Sequence, residues 1–163
     1  MNDTRLKILT FIEKNSRVKM SELAVLLGVD EDTVRAELED MEKEGIICGY
    51  HTIIDWDRTA AEKVTAMIEV RVTPQRGKGF DDIAERIYKY PEVTSVALIS
   101  GSFDLMVMLE GKSLKEVASF VSEKLSALDT VISTQTNFIL KKYKDHGTIL
   151  TKQYEDTRIS VSP

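Results

Sequence analysis

The residues able to do chemistry are few, and their types and spacing exclude most of it. The two histidines, His51 and His146, and the single cysteine, Cys48, make no recognisable metal spacing. Neither histidine reads as half of an acid–base pair, no nucleophile–base constellation stands out, and no phosphate-cradling glycine loop occurs. No metal, cofactor or catalytic group is therefore expected. What remains is charge. Residues 30–44 hold eight acids (Asp30, Glu31, Asp32, Glu37, Glu39, Asp40, Glu42 and Glu44) against two bases, Arg35 and Lys43. Residues 1–62 carry a net −6 and residues 63–163 a net +1, within a total of −5.

The elements that must position these groups are legible from periodicity. Leu6, Leu9 and Ile12 give an apolar face at helical spacing over Thr4–Asn15. Ser21–Leu27 is a second, short helix closed by Gly28, a residue suited to a left-handed cap. Asp30 stands where the N-cap of a third helix belongs, with Val34, Leu38 and Met41 as the inward stripe. Ile46-Ile47 and Ile53-Ile54 bracket a polar stretch and are expected to pair as two short strands of a wing. Helix, turn, capped helix and small hairpin make the winged helix-turn-helix plan, whose third helix can lay its first turn along base edges. A three-helix packing module without nucleic acid has the same pattern.

The run S-E-L-A-V-L-L-G-V-D-E-D-T-V-R-A-E-L-E-D-M-E-K-E-G-I-I-C-G-Y, residues 21–50, resembles the N-terminal domain of the leucine-responsive/asparagine-regulator (feast/famine) family. The resemblance implies a transcription regulator bound to double-stranded DNA. It departs at Glu37, where the family usually carries a base, and in the acidity of the whole third helix. Acids in a first turn suit the helix dipole, which accounts for Glu31 and Asp32. Glu37 has no such explanation. It either reads cytosine N4 or repels phosphate. The candidate DNA contacts are Lys19 and Ser21 where the second helix begins, Thr33 and Arg35 on the third, and His51 in the wing, with Arg17, Arg58 and Lys63 as possible flanks. Either these bases dominate, or a weak single head is made adequate by several heads acting together.

Residues 55–62 read as a linker. Beyond it, Val64, Ala66, Ile68, Val70 and Val72 alternate with polar neighbours as a strand. A helix with Phe80, Ile83, Ala84, Ile87 and Tyr88 on one stripe follows, then strands over Val93–Ile99 and Phe103–Leu109. A second helix carries Leu114, Val117, Ala118, Val121 and Leu125, and a long last strand runs Val131–Tyr143. The class is α+β, with the order β-α-β-β-α-β of a ferredoxin-like domain. The expected boundaries are 1–54 for the helix-turn-helix, 63–144 for this domain and 145–163 for a tail, read either as an added edge strand or as an unordered end. Such a sheet leaves one face to be covered, so pairing between subunits is expected.

The family resemblance extends over V-T-S-V-A-L-I-S-G-S-F-D-L-M-V-M-L-E-G and T-Q-T-N-F-I-L-K-K-Y, and covers residues 3–144 in all. It implies dimers assembling into tetramers or octamers, with a small amino acid bound between dimers near a Gly-x-x-Asp turn. The matching positions are Gly101, Ser102, Phe103 and Asp104. Gly101 admits close backbone approach and Asp104 could accept from an α-ammonium, while Thr134 and Thr136 offer hydroxyls on one strand face. The plainer reading is a hairpin turn that Asp104 caps. A siroheme-decarboxylase-like enzyme and an amino-acid-binding oligomer without DNA are the competing functions. The N-terminus lacks a signal-peptide pattern, and no apolar run approaches the roughly 20 residues of a membrane span. The expected place is the cytoplasm, with no membrane partner.

Overall fold

The computed structural model describes residues 2–73 and 79–150, and the chain divides into two compact units between Ile53 and Ile54. The first unit is three helices: α1 (Asp3–Lys14), α2 (Met20–Leu27) and α3 (Glu31–Lys43). Their apolar stripes meet in a core of Ile8, Leu23, Ala24, Val34, Leu38 and Met41. Gly28 ends α2 in the left-handed region at φ +69°, with its N–H on the last carbonyls of the helix. Asp30 then caps α3, its carboxylate accepting from the Thr33 N–H at 2.7 Å and the Thr33 hydroxyl at 2.8 Å. The turn between the two helices follows from those caps.

The expected wing strands are not there. Residues 46–54 form no strand. The N–H groups of Ile46 and Ile47 both donate to the Met41 carbonyl, at 2.9 and 3.1 Å, and so close α3 instead of starting a ladder.

The second unit opens with a single 3-10 turn, Trp56–Arg58. The sheet strands are β1 (Val64–Val72), β2 (Val93–Leu98), β3 (Leu105–Gly111) and β4 (Val131–Ile139). They are all antiparallel, in the order β2-β3-β1-β4, which is the ferredoxin-like arrangement. Helices α4 (Asp81–Tyr88) and α5 (Leu114–Phe120) cover one face. Ala66, Ile68, Val70 and Val72 of β1 and Leu105, Val107 and Leu109 of β3 pack there against Ile83, Ile87, Val117 and Phe120. Alternation sends Met67, Glu69, Met106 and Met108 to the other face, which no helix among the described residues covers.

Three departures from the pattern are local. The second covering helix is α5 followed by a π turn, Val121–Leu125, closed by the Ser126 N–H on the Val121 carbonyl at 2.8 Å. The last strand stops at Ile139. Beyond it Lys144–Asp145 (β5) and Thr148–Ile149 (β6) pair as a hairpin around His146 and Gly147. Both turn residues have positive φ, 41° and 82°, as a two-residue turn of the mirror-image type demands. The part of the tail reading that falls on 151–163, and the Pro74 and Gly77 strand-end signals, lie outside the described residues.

Candidate nucleic-acid interface and ligand turn

The acidic helix is largely answered from within its own unit. Glu37, the residue the sequence left unexplained, accepts from Arg5 Nε at 2.5 Å and from the Asn2 amide at 3.3 Å. Arg5 Nη1 also meets both oxygens of Glu44, at 3.0 and 2.9 Å. The Arg5 guanidinium holds the Glu37 carboxyl below its ordinary range, and Glu37 in turn raises Arg5. Asp30 is consumed by the helix cap, and Glu31 pairs with Arg35 at 3.2 Å. Lys43 lies 4.0 Å from Glu39 and 3.5 Å from Asp40. The Tyr50 hydroxyl donates to Glu42 at 2.7 Å, and burial together with that carboxylate pushes the phenol up to about 12. Among the described residues, Asp32 is the one acid of the eight without a side-chain donor in this chain.

The candidate DNA contacts keep different degrees of freedom. Lys19 is the N-cap residue of α2 and makes no side-chain cap bond; Ser21 stands two residues on, and both are exposed. Thr33 has its hydroxyl proton committed to Asp30, which leaves it an acceptor only. Arg35 is half-exposed, and its pair with Glu31 is a surface contact that a phosphate can outcompete. His51 is exposed in the segment after α3. Of the flanking bases, Lys63 is occupied: its ammonium lies 4.5 Å above the Trp56 ring and 2.8 Å from Glu110. Arg5 was not among the sequence candidates. Its signal was faint, a lone arginine in the first turn of α1 with acids at spacing seven on α3.

The ligand candidates divide between two places. Gly101, Ser102, Phe103 and Asp104 form the connection from β2 to β3, closed by the Ile99 N–H on the Asp104 carbonyl at 2.8 Å. The Asp104 N–H donates to the Val70 carbonyl at 3.1 Å. Its carboxylate accepts from the Val72 N–H at 2.9 Å, filling the place of the next ladder carbonyl where β1 changes register. Asp104 thus caps a strand end, with its second oxygen left over. Gly101 is not demanded by its own chain, since its φ is not positive and a Cβ there would meet only Ile99 at ordinary contact, 3.4 Å.

Thr134 and Thr136 do share a face, opposite Val70 and Ile68 on the helix-covered side of the edge strand β4. Thr134 lies 3.3 Å from the Ser126 hydroxyl, and Thr136 has no side-chain partner among the described residues. Strand β1 separates them from Asp104 by two strand spacings, about 10 Å of backbone. Within one chain the turn and the threonines do not converge. His146, read as unpaired, sits with Nδ1 2.8 Å from Asp145; the pair is a surface contact, with the imidazole 84% exposed. No group of three or more metal-ligating side chains occurs among the described residues, and no described helix is long and apolar enough to cross a membrane.

A helix-turn-helix unit joined to a ferredoxin-like unit defines a class of two-domain regulators, and the comparisons with known proteins agree. Residues 1–47 match a winged helix-turn-helix DNA-binding family, and residues 65–149 match the Lrp/AsnC ligand binding domain. The chain is 46% identical to YugG, an uncharacterized HTH-type transcriptional regulator of Bacillus subtilis, over 100% of this chain and 99% of YugG. It is 33% identical to an uncharacterized HTH-type regulator of Pyrococcus furiosus, covering 86% of this chain and 92% of that one. A transcriptional regulator from Neisseria meningitidis, solved as a complex with L-Met, shares the fold at TM-score 0.71 and 23% identity, over 91% and 96% of the two chains. The chain belongs to the Lrp/AsnC family of transcription regulators.

Proposed function

We propose that this regulator reads double-stranded DNA through Lys19, Ser21, Thr33, Arg35 and His51, and that a small amino acid bound at the second domain adjusts its assembly or its DNA affinity. The observation that carries the DNA half is the internal pairing of Glu37 and Glu44 with Arg5 and of Asp40 with Lys43, which lowers the repulsion that an acidic recognition helix would otherwise present. Lys19 and Arg35 then supply the attraction, and several heads on one oligomer multiply a weak contact. The bound L-Met of the Neisseria regulator supports an amino acid as the effector class. The free Asp104 oxygen suits an α-ammonium and the Thr136 hydroxyl suits a carboxylate. Because these groups lie apart in one chain, the site is completed between subunits. The uncovered sheet face, with Met67, Met106 and Met108, supports pairing with a second copy, and we place the working unit as a cytoplasmic homo-oligomer.

The test is a gel shift on the protein's own upstream DNA across salt and a panel of amino acids. Arg35→Ala should weaken binding and reduce the salt slope by about 1, as loss of one phosphate contact does. Unaltered binding removes Arg35 from the interface. Asp104→Asn retains an acceptor for the Val72 N–H while removing the charge, so it should abolish the effector response in a folded protein; a retained response removes Asp104 from the site. Retention of a coloured macrocycle on purification would instead favour the decarboxylase-like reading.

A further inference from the structure

The clamp that Arg5 makes is more than a brace between helices. Glu37 and Glu44 are seven residues apart on α3 and flank its buried Val34–Leu38–Met41 stripe on one side. One guanidinium holds both, with Nε on Glu37 and Nη1 on Glu44. The Arg5 and Glu37 side chains are only 19% and 21% exposed, whereas the ion pairs on this helix that do not involve Arg5 are about half-exposed or more. Asn2 adds a second donor to Glu37 and also caps α1 through the Arg5 N–H at 2.8 Å, so the start of α1 is fixed from both ends of the same residue. A forked cation can grip two carboxylates at once, which a lysine cannot do.

We infer that Arg5 is a positioning residue of the reading head, holding Glu37 and Glu44 against α1 so that neither carboxylate faces the phosphates of bound DNA. The inference rests on the DNA reading above. It assigns Arg5 a role without any contact to nucleic acid. Without the clamp, two unpaired carboxylates stand on the flank of the recognition helix and weaken the electrostatic attraction.

The experiment compares the full-length wild type with Arg5→Ala, Arg5→Lys and the triple variant Arg5→Ala/Glu37→Gln/Glu44→Gln, using the upstream DNA fragment at several salt concentrations. Arg5→Ala should bind several-fold more weakly per folded molecule, Arg5→Lys should fall between, and the triple variant should return close to wild type. The slope of log affinity against log salt should not fall by the roughly 0.9 that loss of one phosphate contact gives. A triple variant as weak as Arg5→Ala, with the slope reduced by about 0.9, would mean that Arg5 touches a phosphate and would overturn the inference. So would wild-type affinity in Arg5→Ala. Hydrogen exchange without DNA separates this outcome from failure of the DNA reading. Amides of α1 should exchange several-fold faster in Arg5→Ala than in wild type, and unchanged exchange sinks the clamp. A wild type that never retains DNA while α1 responds as expected sinks only the DNA reading.

Discussion

The two units solve the same problem with different means. Among its described residues the sheet unit buries thirteen apolar side chains in one core, and its four-stranded sheet is paired along three antiparallel ladders. The helical unit buries six and has no ladder. Its helices are fastened by caps and by side-chain pairs such as Arg5 with Glu37 and Glu44. A small core leaves a larger share of the organisation to polar contacts, which pH and single substitutions can undo. That is suitable for an element that must adapt to a groove on DNA.

The strongest test of this contrast is a cavity. Ile8→Ala removes a fully buried side chain from the six-residue core and should cost about 2–5 kcal/mol, enough to melt the helical unit ahead of the sheet. Calorimetry should show two separated transitions; a single shared one would break the comparison. Next in size is Asp104→Ala, which strands the Val72 N–H and should cost the sheet unit about 1–3 kcal/mol of stability, read as a lower denaturant midpoint, with Asp104→Asn costing less. Equal midpoints for the two variants would discard the cap. The Ser113 hydroxyl accepts from the Glu116 N–H at 3.1 Å to cap α5, and Ser113→Ala should cost about 1 kcal/mol.

The smallest effect is in pH. The Glu37 carboxyl is held below its ordinary value of 4.5, so its contribution is fully present above pH 4.5 and is lost as pH falls through the depressed folded value. Between pH 7 and 3 the thermal midpoint of the helical unit should therefore fall below about 4.5, and Arg5→Ala should lose part of that response. Glu92, held down by Lys124 at 2.6 Å, gives the sheet unit a response of the same sign that Arg5→Ala leaves untouched. A response of the helical unit identical with and without Arg5 would show that other carboxylates carry it.

Legibility differed between the units for a physical reason. The strands and α4 were readable because alternation and helical spacing report burial directly, and burial there dominates. The two expected wing strands are absent because Ile46 and Ile47, which look like strand residues, have their N–H groups taken by the end of α3. The hairpin at 144–149 is hard to read because its signal, His146-Gly147, is a turn signature preceded by the charged Lys144-Asp145 and not by an alternating apolar run. Asp104 carried the same ambiguity from the start, and its Val72 bond makes it a cap whatever else it does.

The sequence by itself determined the helix-turn-helix and ferredoxin-like order, the turn at Gly28 and Asp30, and the family likeness. These depend on local caps and on the period of apolar residues, which any short window contains. Only the tertiary structure decided what the charges do. Glu37 and Arg5 lie thirty-two residues apart, and no local rule connects them. Whether eight acids repel a phosphate or are answered within the chain depends on which side chains the helix packing brings within reach, and packing is a property of the fold.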